Sequence, residues 1–441
     1  MSARPHILVA GAGLAGLAAA RALTVEGARV TVIDARERVG GRVWTIREGF
    51  TGGQHAEGGA DLIESEQAAV MSLARELKLT LVPILKDGFG FYGMGAKGRR
   101  SVETGSRQLG RLFAPFWREV EQYRRLEGRW HSPIAQAFAR ESVAEYLTRT
   151  GASAAVVARF RSLRGFFLAD PEDLSMIALL DFLATDGFGG DGRTFRIRGG
   201  NDQLATRMAD ALPTRVRLRT VLRRVEHRDD GVIATVEDRS GHHAVSADAL
   251  IVAMPATAVR DVVFAPGLPD PQRDAIATLK YGGATRVLLQ FQSRFWVRRG
   301  RPRAFGSDLS TGAVWDGNEQ QRGRGGILSL LAGGRASDEL VMILNMEGAA
   351  GVAERLRWMG PLSALVASHV VRWNDDPWVG GGYAYFDPEF DPRGRDLLAR
   401  PFGRICFAGE HTSVRWQGYM NGAIESGRRA AAEARLLTAM V

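Results

Sequence analysis

Ile7-Leu-Val-Ala-Gly-Ala-Gly-Leu-Ala-Gly16 decides the fold of this chain. The apolar run 7–10 stops at a glycine, an alanine-rich stretch covers 14–23, and Val30-Thr-Val-Ile33 follows, which is the order strand, tight turn, helix, strand. Gly11 permits the sharp turn. Gly13 lets the backbone approach a pyrophosphate, and Gly16, after Ala15, lets helix and strand pack closely. The helix start adds free N–H groups and the positive end of a dipole. Asp34 closes the second strand roughly 20 residues on, where an acid bonds ribose hydroxyls. In a chain with 53 glycines the glycine pattern alone is weak. With strand, helix, second strand and acid in sequence it points to a bound dinucleotide, the alternative being a glycine-rich turn in an unrelated α/β unit.

Composition sets limits around that reading. A length of 441 residues exceeds what one hydrophobic core usually organises, so two domains are expected. The net charge of +9 comes almost wholly from arginine, with lysines only at 78, 86, 97 and 280, and is scattered among acids. Such a bias reads as coding composition, and no nucleic-acid partner is expected. Cys406 is the only cysteine, which removes intrachain disulfides and cysteine metal clusters and suggests a buried structural thiol in Ile405-Cys-Phe-Ala408. The histidines show no ligand spacing, so no metal is expected. The apolar N-terminal segment is broken by its glycine turn and does not read as a secretory signal, and no uninterrupted apolar run of about 18 residues occurs. A soluble, cytoplasmic protein without membrane attachment is the expectation.

Directly after Asp34 comes Ala35-Arg-Glu-Arg-Val-Gly-Gly-Arg42. This resembles the FAD-binding fingerprint shared by flavin amine oxidases, phytoene-type desaturases and protoporphyrinogen oxidases. The resemblance implies that Asp34 holds the adenosine ribose, that Ala35 and Arg36 lie by the adenosine end, and that the Gly40-Gly41-Arg42 turn meets pyrophosphate and flavin. Glycine backbone and an arginine fork suit two phosphate charges independently of any family. By the same resemblance Gly58-Gly59-Ala60 is a second turn against the flavin, and the backbone of Leu222 pairs with adenine.

The other end of the chain narrows the family. Arg404-Ile-Cys-Phe-Ala-Gly409 reads as a buried strand, Glu410 sits at its carboxyl end, and a long helix starts near Tyr419 and Met420. Glu410 suits hydroxyls of the ribityl chain, and the helix start suits a flavin edge that becomes negative on reduction. Trp416-Gln-Gly-Tyr-Met-Asn-Gly422, with Gly418 at its turn, resembles the monoamine and polyamine oxidase form of this motif. Together with Gly380-Gly-Gly-Tyr383 it identifies the chain as similar to the flavin amine oxidases along essentially its whole length. The implied fold is α/β: a Rossmann-type FAD-binding domain from residues 1–95, 199–265 and 395–441, with a mixed α+β substrate-binding domain inserted from 96–198 and 266–394. Within these pieces 216–221, 286–291, 326–331 and 340–344 read as strands and roughly 105–185 as a helical stretch.

Tyr383 and Tyr419 fall where that family sets two aromatic rings perpendicular to the flavin, a cage that excludes water and aligns a neutral amine; the plainer alternative is two core tyrosines. Gly382 occupies the place of the flavin-linked cysteine of animal monoamine oxidases, so FAD is expected to be non-covalent. In Ala284-Thr-Arg-Val-Leu-Leu-Gln-Phe291 most relatives carry a lysine that holds a water against the flavin, and here Arg286 stands there. Arginine keeps its proton at any working pH. Arg286 therefore either still positions water and oxygen or anchors an anionic or carbonyl group. Glu64 resembles the entrance acid that polyamine oxidases use for a distal ammonium, with Asp61 and Glu66 adding negative charge. The bland reading is helix entry, with Ser65 as cap of a helix over 66–77.

The activity implied is hydride transfer from the carbon beside an amine nitrogen to FAD, giving an imine and, with molecular oxygen, hydrogen peroxide. Two alternatives stay open: a dehydrogenase or desaturase acting on a C–N or C–C bond of a biosynthetic intermediate, and a flavin-binding sensor without turnover. A homodimer is expected only by analogy with relatives.

Overall fold

Ile7, Leu8, Val9 and Ala10 are wholly buried because their strand is interior to a sheet covered on both faces. The computed structural model describes residues 4–94, 100–104, 112–126, 128–184 and 192–439. The sheet has four parallel strands in the order Arg29–Ile33, His6–Ala10, Ala249–Val252, Ile405–Phe407. Val9 lies beside Val32 on one side and Ile251 on the other, and Val252 lies beside Phe407. Sequence from three distant places thus builds one apolar layer, as parallel strands with covered faces require.

Helices Leu14–Val25 and Met420–Ala439 lie against each other on one face. Small residues permit it: Ala15, Ala18 and Ala19 meet Ala430, Ala431 and Ala434 in one buried cluster, and a side chain on Gly427 would stand 2.1 Å from the Ala15 carbonyl oxygen. The first and last helices therefore share one face of the sheet, so both terminal motifs arrive at its carboxyl edge.

Three strands, Gly241–Ala247, Val232–Asp238 and Val221–His227, form an antiparallel meander that Val263–Ala265 joins in parallel. The larger sheet has seven strands: Leu365–Arg372, Ala284–Phe291, Gly326–Gly333, Ala313–Asp316, Ala304–Ser307, Phe89–Met94 and Arg100–Thr104. Ala284–Phe291 and Gly326–Gly333 are buried at every position, because helix Arg335–Glu354 covers one face and Ile46 and Ala56 pack on the other. The helical part includes Trp117–Arg124, Pro133–Arg140, Val143–Arg149, Ala154–Arg161 and Met176–Ala184. Val143–Arg149 begins with a full capping box, Ser142 and Glu145 each satisfying the other's backbone N–H.

Several expectations are corrected. Residues 340–344, read as a strand, lie inside helix Arg335–Glu354; Leu340 is buried while Met342 is exposed, and a five-residue apolar run cannot by itself distinguish strand from helix. The strand expected over 216–221 begins at Val221. The helix after Glu64 is Ala68–Glu76, entered through Gln67, and Ser65 donates to Glu66 instead of capping it. Phe89–Met94, expected with the nucleotide-binding piece, pairs with Ala304–Ser307 in the seven-stranded sheet. The boundary expected at residues 95 and 96, and the ends of the helical stretch expected over 105–185, lie outside the described residues.

Candidate active site

The glycine turn after His6–Ala10 is built by main-chain crowding. Gly11 has φ +108, and a Cβ there would sit 2.5 Å from the Ala253 carbonyl oxygen; at Gly16 it would sit 1.8 Å from that of Gly11. Only glycine is compatible with both. At Gly13 a Cβ would meet nothing within 4 Å, and the Cβ of a residue replacing Gly41 would approach Gly13 Cα to 3.6 Å. Bare backbone at the helix start and at the Gly40-Gly41 turn therefore bounds an open cradle, which suits a pyrophosphate.

Asp34 lies at the end of its strand with both carboxylate oxygens on main-chain donors, Ala12 N at 2.6 Å and Arg36 N at 2.8 Å. Burial raises its pKa, and those two donors hold the carboxylate at the mouth of the turn. Arg36, expected at the adenosine end, forms a two-armed ion pair with Asp376 at 2.6 and 2.7 Å, tying the nucleotide turn to the segment after Trp373. Arg38 was not singled out from the sequence. Its guanidinium lies 4.8 Å from the Trp44 ring centre, has no carboxylate ion pair among the described residues, and is pushed down to about 10 by burial and by Arg36. An under-compensated, half-buried cation beside the cradle suits a phosphate, and the Arg-x-Arg spacing before Gly40 was the available signal. Leu222 is buried in Val221–His227, paired with Val236 on one side. Pairing with Val263–Ala265 starts only at Arg224, so among the described residues no strand takes the other side of Leu222.

A second turn passes close beneath. A Cβ at Gly59 would lie 1.8 Å from the Arg42 carbonyl oxygen and one at Gly58 would lie 2.9 Å from Ile46 Cδ1; Ala60 N donates to the same Arg42 carbonyl at 3.0 Å. Arg42 donates to Glu410 Oε1 at 2.9 Å and to the Gly382 carbonyl at 2.5 Å. Glu410 also accepts from Gly418 N at 2.8 Å and Ala384 N at 3.3 Å. Its carboxylate, expected to serve ribityl hydroxyls, joins three separate pieces of chain: the Gly40-Gly41-Arg42 turn, the 382–384 segment and the approach to the last helix. Gly409 precedes it with φ +137, and Met420 opens the helix Met420–Ala439. Next to Glu410, burial lowers His411 to about 4 and keeps it neutral.

Tyr383, Tyr419 and Glu64 converge although Glu64 and Tyr419 lie near opposite ends of the chain. Both phenols are held far above their ordinary pKa, chiefly by burial, and the charges of Glu64 and Tyr383 act on Tyr419. Tyr419 stands edge-to-face with Trp416 at 5.5 Å. Tyr383 donates to the Phe166 carbonyl, and a Cβ at Gly418 would contact its ring at 3.2 Å. Glu64 ends the two-residue strand Ile63–Glu64, which pairs with Thr194–Ile197. Burial, with the Glu66 charge second, pushes its carboxyl up to about 7.

Arg286 is buried. It donates to Ser329 Oγ at 2.7 Å and the Gly59 carbonyl at 2.9 Å, lies 3.6 Å from Asp61, and stacks 4.9 Å from the Trp315 ring centre. Its Nε–H has no hydrogen-bond partner among the described residues. Asp61, expected to add negative charge for an arriving amine, is instead consumed internally: Arg196 donates to it from two nitrogens and Trp315 Nε1 donates at 2.6 Å. Glu57 is pushed up to about 8 by burial, with the Asp61 charge second. Arg196, Trp315 and Trp373 went unnoticed in the sequence, since their value lies in contacts with residues far away in the chain.

The cradle at Gly13, the under-compensated Arg38 and the orphaned Arg286 Nε–H fit a bound flavin dinucleotide. The flavin-containing amine oxidoreductase family model matches residues 14–435. The chain belongs to that family. Among curated relatives of this amine oxidoreductase, flavin-containing amine oxidase A of Sus scrofa is 25% identical, with 97% of this chain and 84% of that protein covered. Flavin-containing amine oxidase B of Homo sapiens is 26% identical, covering 98% and 86%. Cyclohexylamine oxidase from Brevibacterium oxydans superposes with a TM-score of 0.87 at 26% identity, covering 98% of this chain and 99% of that one. Putrescine oxidase bound to putrescine has the same TM-score and coverage at 24% identity, which speaks to the fold alone. The amine oxidase fold and an FAD-dependent oxidoreductase acting on amines are thereby shown for this chain. Among the described residues no helix is long and apolar enough to cross a membrane.

Proposed function

We propose that this flavoenzyme is an amine oxidase. It oxidises the carbon beside an uncharged amine nitrogen, giving an imine that water hydrolyses to a carbonyl compound, with molecular oxygen reduced to hydrogen peroxide. FAD held along the Gly13 cradle supplies the two-electron acceptor. The chain's own part is placement and exclusion of water. The observation that carries the reading is the convergence of Tyr383, Tyr419 and Glu64, two half-buried aromatic rings and one acid, with Arg286 linking Tyr383 to the Gly59 turn. Rings favour a neutral amine over an ammonium that would lose its hydration, and orientation of the reacting C–H contributes several kcal/mol to rate.

Glu64 suits a second, cationic nitrogen on the substrate. The fixed Arg286 guanidinium, pinned by Ser329 and Gly59, presents its remaining N–H and does not relay protons at neutral pH. That feature supports the alternative of a specialised dehydrogenase acting on a carbonyl-bearing intermediate. FAD is held without a covalent bond, for Gly382 has no side-chain atom to link and a Cβ there would lie 2.1 Å from Leu168 Cδ1. The nucleotide-binding domain comprises the pieces around 4–88, 199–265 and 395–439, the rest forming the substrate domain in the cytoplasmic enzyme.

Anaerobic addition of cyclohexylamine, putrescine, benzylamine and amino acids to the yellow holoenzyme tests this. Bleaching of the oxidised flavin band by one amine class, followed by peroxide release on aeration, is expected. If none of them bleaches a fully flavinated protein, the amine oxidase reading fails and the dehydrogenase alternative takes its place.

A further inference from the structure

One buried arginine outside the site joins the helical part of the molecule to the loop that precedes Tyr419. Arg395 lies on helix Gly394–Ala399, and its side chain is 2% exposed. It makes an ion pair with Asp181 at 2.7 Å, on helix Met176–Ala184. It donates to the Tyr123 hydroxyl at 3.1 Å, on helix Trp117–Arg124, and Tyr123 donates in turn to Asp181. The nitrogen that pairs with Asp181 also donates to the Val414 carbonyl at 3.0 Å. The guanidinium is stacked between Trp130 at 4.1 Å and Phe386 at 4.8 Å, and Trp130 Nε1 donates to Asp396 at 3.2 Å. Five separate pieces of chain meet on this one planar fork.

Val414 belongs to the loop 413–418. That loop is folded against the start of the last helix: Trp416 N donates to Ser413 Oγ at 3.1 Å, and a Cβ on Gly422 would stand 2.1 Å from the Trp416 carbonyl oxygen. Its far end delivers Gly418 N to Glu410 and the Trp416 ring to Tyr419. On the outer side Val414 and Arg415 are exposed, so among the described contacts Arg395 is the buried side chain that secures the loop's middle to the helices. The helical part touches the tyrosine pair at a second point, where Phe166 accepts from Tyr383. Planar, multidentate donation is a task lysine cannot reproduce.

We propose that Arg395, braced by Asp181 and Tyr123, is a positioning residue for the amine-oxidising step: it sets the placement of loop 413–418 and through it the Trp416–Tyr419 wall, and so couples the helical part to the reacting site. The inference rests on the reading of Tyr419 as a wall of the amine site. Misplacement of an aligned substrate by a fraction of an ångström costs rate far more than affinity, so the effect belongs to the limiting rate of flavin reduction.

The test uses the FAD-loaded enzyme with cyclohexylamine and putrescine under anaerobic conditions, in Arg395→Met, Arg395→Lys, Tyr123→Phe, Tyr419→Ala and the double variant Arg395→Met/Tyr419→Ala. Arg395→Met should lower the limiting reduction rate about tenfold with an unchanged amine dissociation constant, Arg395→Lys should restore only part of it, and Arg395→Met should add less than about twofold in the Tyr419→Ala background. Limited trypsin digestion of the same holoenzymes, followed by mass measurement, should show cleavage after Arg415 accelerated severalfold in Arg395→Met. Should Arg395→Met fail to fold, Tyr123→Phe, which removes one hydroxyl and no charge, must show the same cleavage increase with a smaller rate loss. Normal reduction rates and cleavage in the Arg395 and Tyr123 variants, with Tyr419→Ala impaired, overturn the positioning role alone. No effect of Tyr419→Ala itself overturns the aromatic-wall reading on which it stands.

Discussion

Replacing Glu64 with glutamine tests what the acid beside Tyr419 does. Its carboxyl is pushed up to about 7 by burial, with Glu66 adding repulsion. A group titrating there is about nine-tenths ionised at pH 8 and about one-tenth at pH 6. If the ionised form receives the distal ammonium of a diamine, kcat/KM for putrescine falls about tenfold over that interval for this reason alone. The reacting nitrogen must also lose its proton, which lowers rates at acid pH for any amine. Dividing the putrescine value by that for cyclohexylamine, which has no second nitrogen, largely cancels this shared requirement. A charge-assisted hydrogen bond contributes about 1.5–3 kcal/mol, or about 10–150-fold in binding. In wild type the ratio should therefore drop about tenfold from pH 8 to pH 6. Glu64→Gln should lower it at least about tenfold at pH 8 and remove its pH dependence. Steady-state oxygen uptake with both amines suffices as the assay. A ratio that is flat in wild type, or that keeps its slope in the glutamine variant, would refute the role, leaving Glu64 as a half-buried acid at a strand end.

Three further outcomes are expected. Arg286→Lys keeps a charge near Asp61 but reaches only one of Ser329 and Gly59, so it should lose about 1.5–3 kcal/mol of stability, read as a lower urea midpoint; air reoxidation of the reduced enzyme, followed by stopped flow, should change severalfold, and an identical rate would remove Arg286 from the oxygen step. Gly13→Ala should preserve the folding of the apoprotein, since its Cβ meets nothing within 4 Å, while weakening FAD retention on gel filtration; Gly16→Ala should destabilise apoprotein and holoprotein alike, with a Cβ 1.8 Å from the Gly11 carbonyl, and equal behaviour of the two would undo the cradle. Glu57 is held up at about 8 against an ordinary value of 4.5, so the stability it contributes is complete below about pH 4.5 and disappears as pH rises through 8. Between pH 5 and 9 wild type should lose stability relative to Glu57→Gln, as chemical denaturation at each pH would show, and parallel curves would contradict the shift.

Much of this molecule was legible in local order. Gly11, Gly13 and Gly16 followed by Asp34 announce a βαβ unit because each duty is fulfilled within one turn and one helix, by steric limits that neighbours in sequence impose. The wholly apolar strands at 7–10 and 405–407 were legible because covered parallel strands need no polar face, and 284–291 was legible although Thr285, Arg286 and Gln290 interrupt its apolar residues. The two terminal motifs signalled one shared cofactor, and residue types in the 416–422 motif signalled the family. Run 340–344 was misread since five apolar residues fit either a strand or a buried helix stripe, and only the cover over Ala284–Phe291 decides between them.

What tertiary structure alone decided are the partners of charges. In the sequence Asp61 and Glu64 stand three positions apart as two acids. In the fold Asp61 is consumed by Arg196, Trp315 and Arg286, whereas Glu64 remains beside Tyr419 with a raised pKa. Arg36, expected near the adenosine, pairs with Asp376, while Arg38, two residues on, keeps its charge under-compensated. Glu410 joins three segments that no local pattern connects. Glycine turns and strand periods are written locally because they answer to backbone sterics and side-chain alternation. The destination of a buried charge depends on which distant residues share its low-dielectric surroundings, and that is settled only when the sheets and helices close around it.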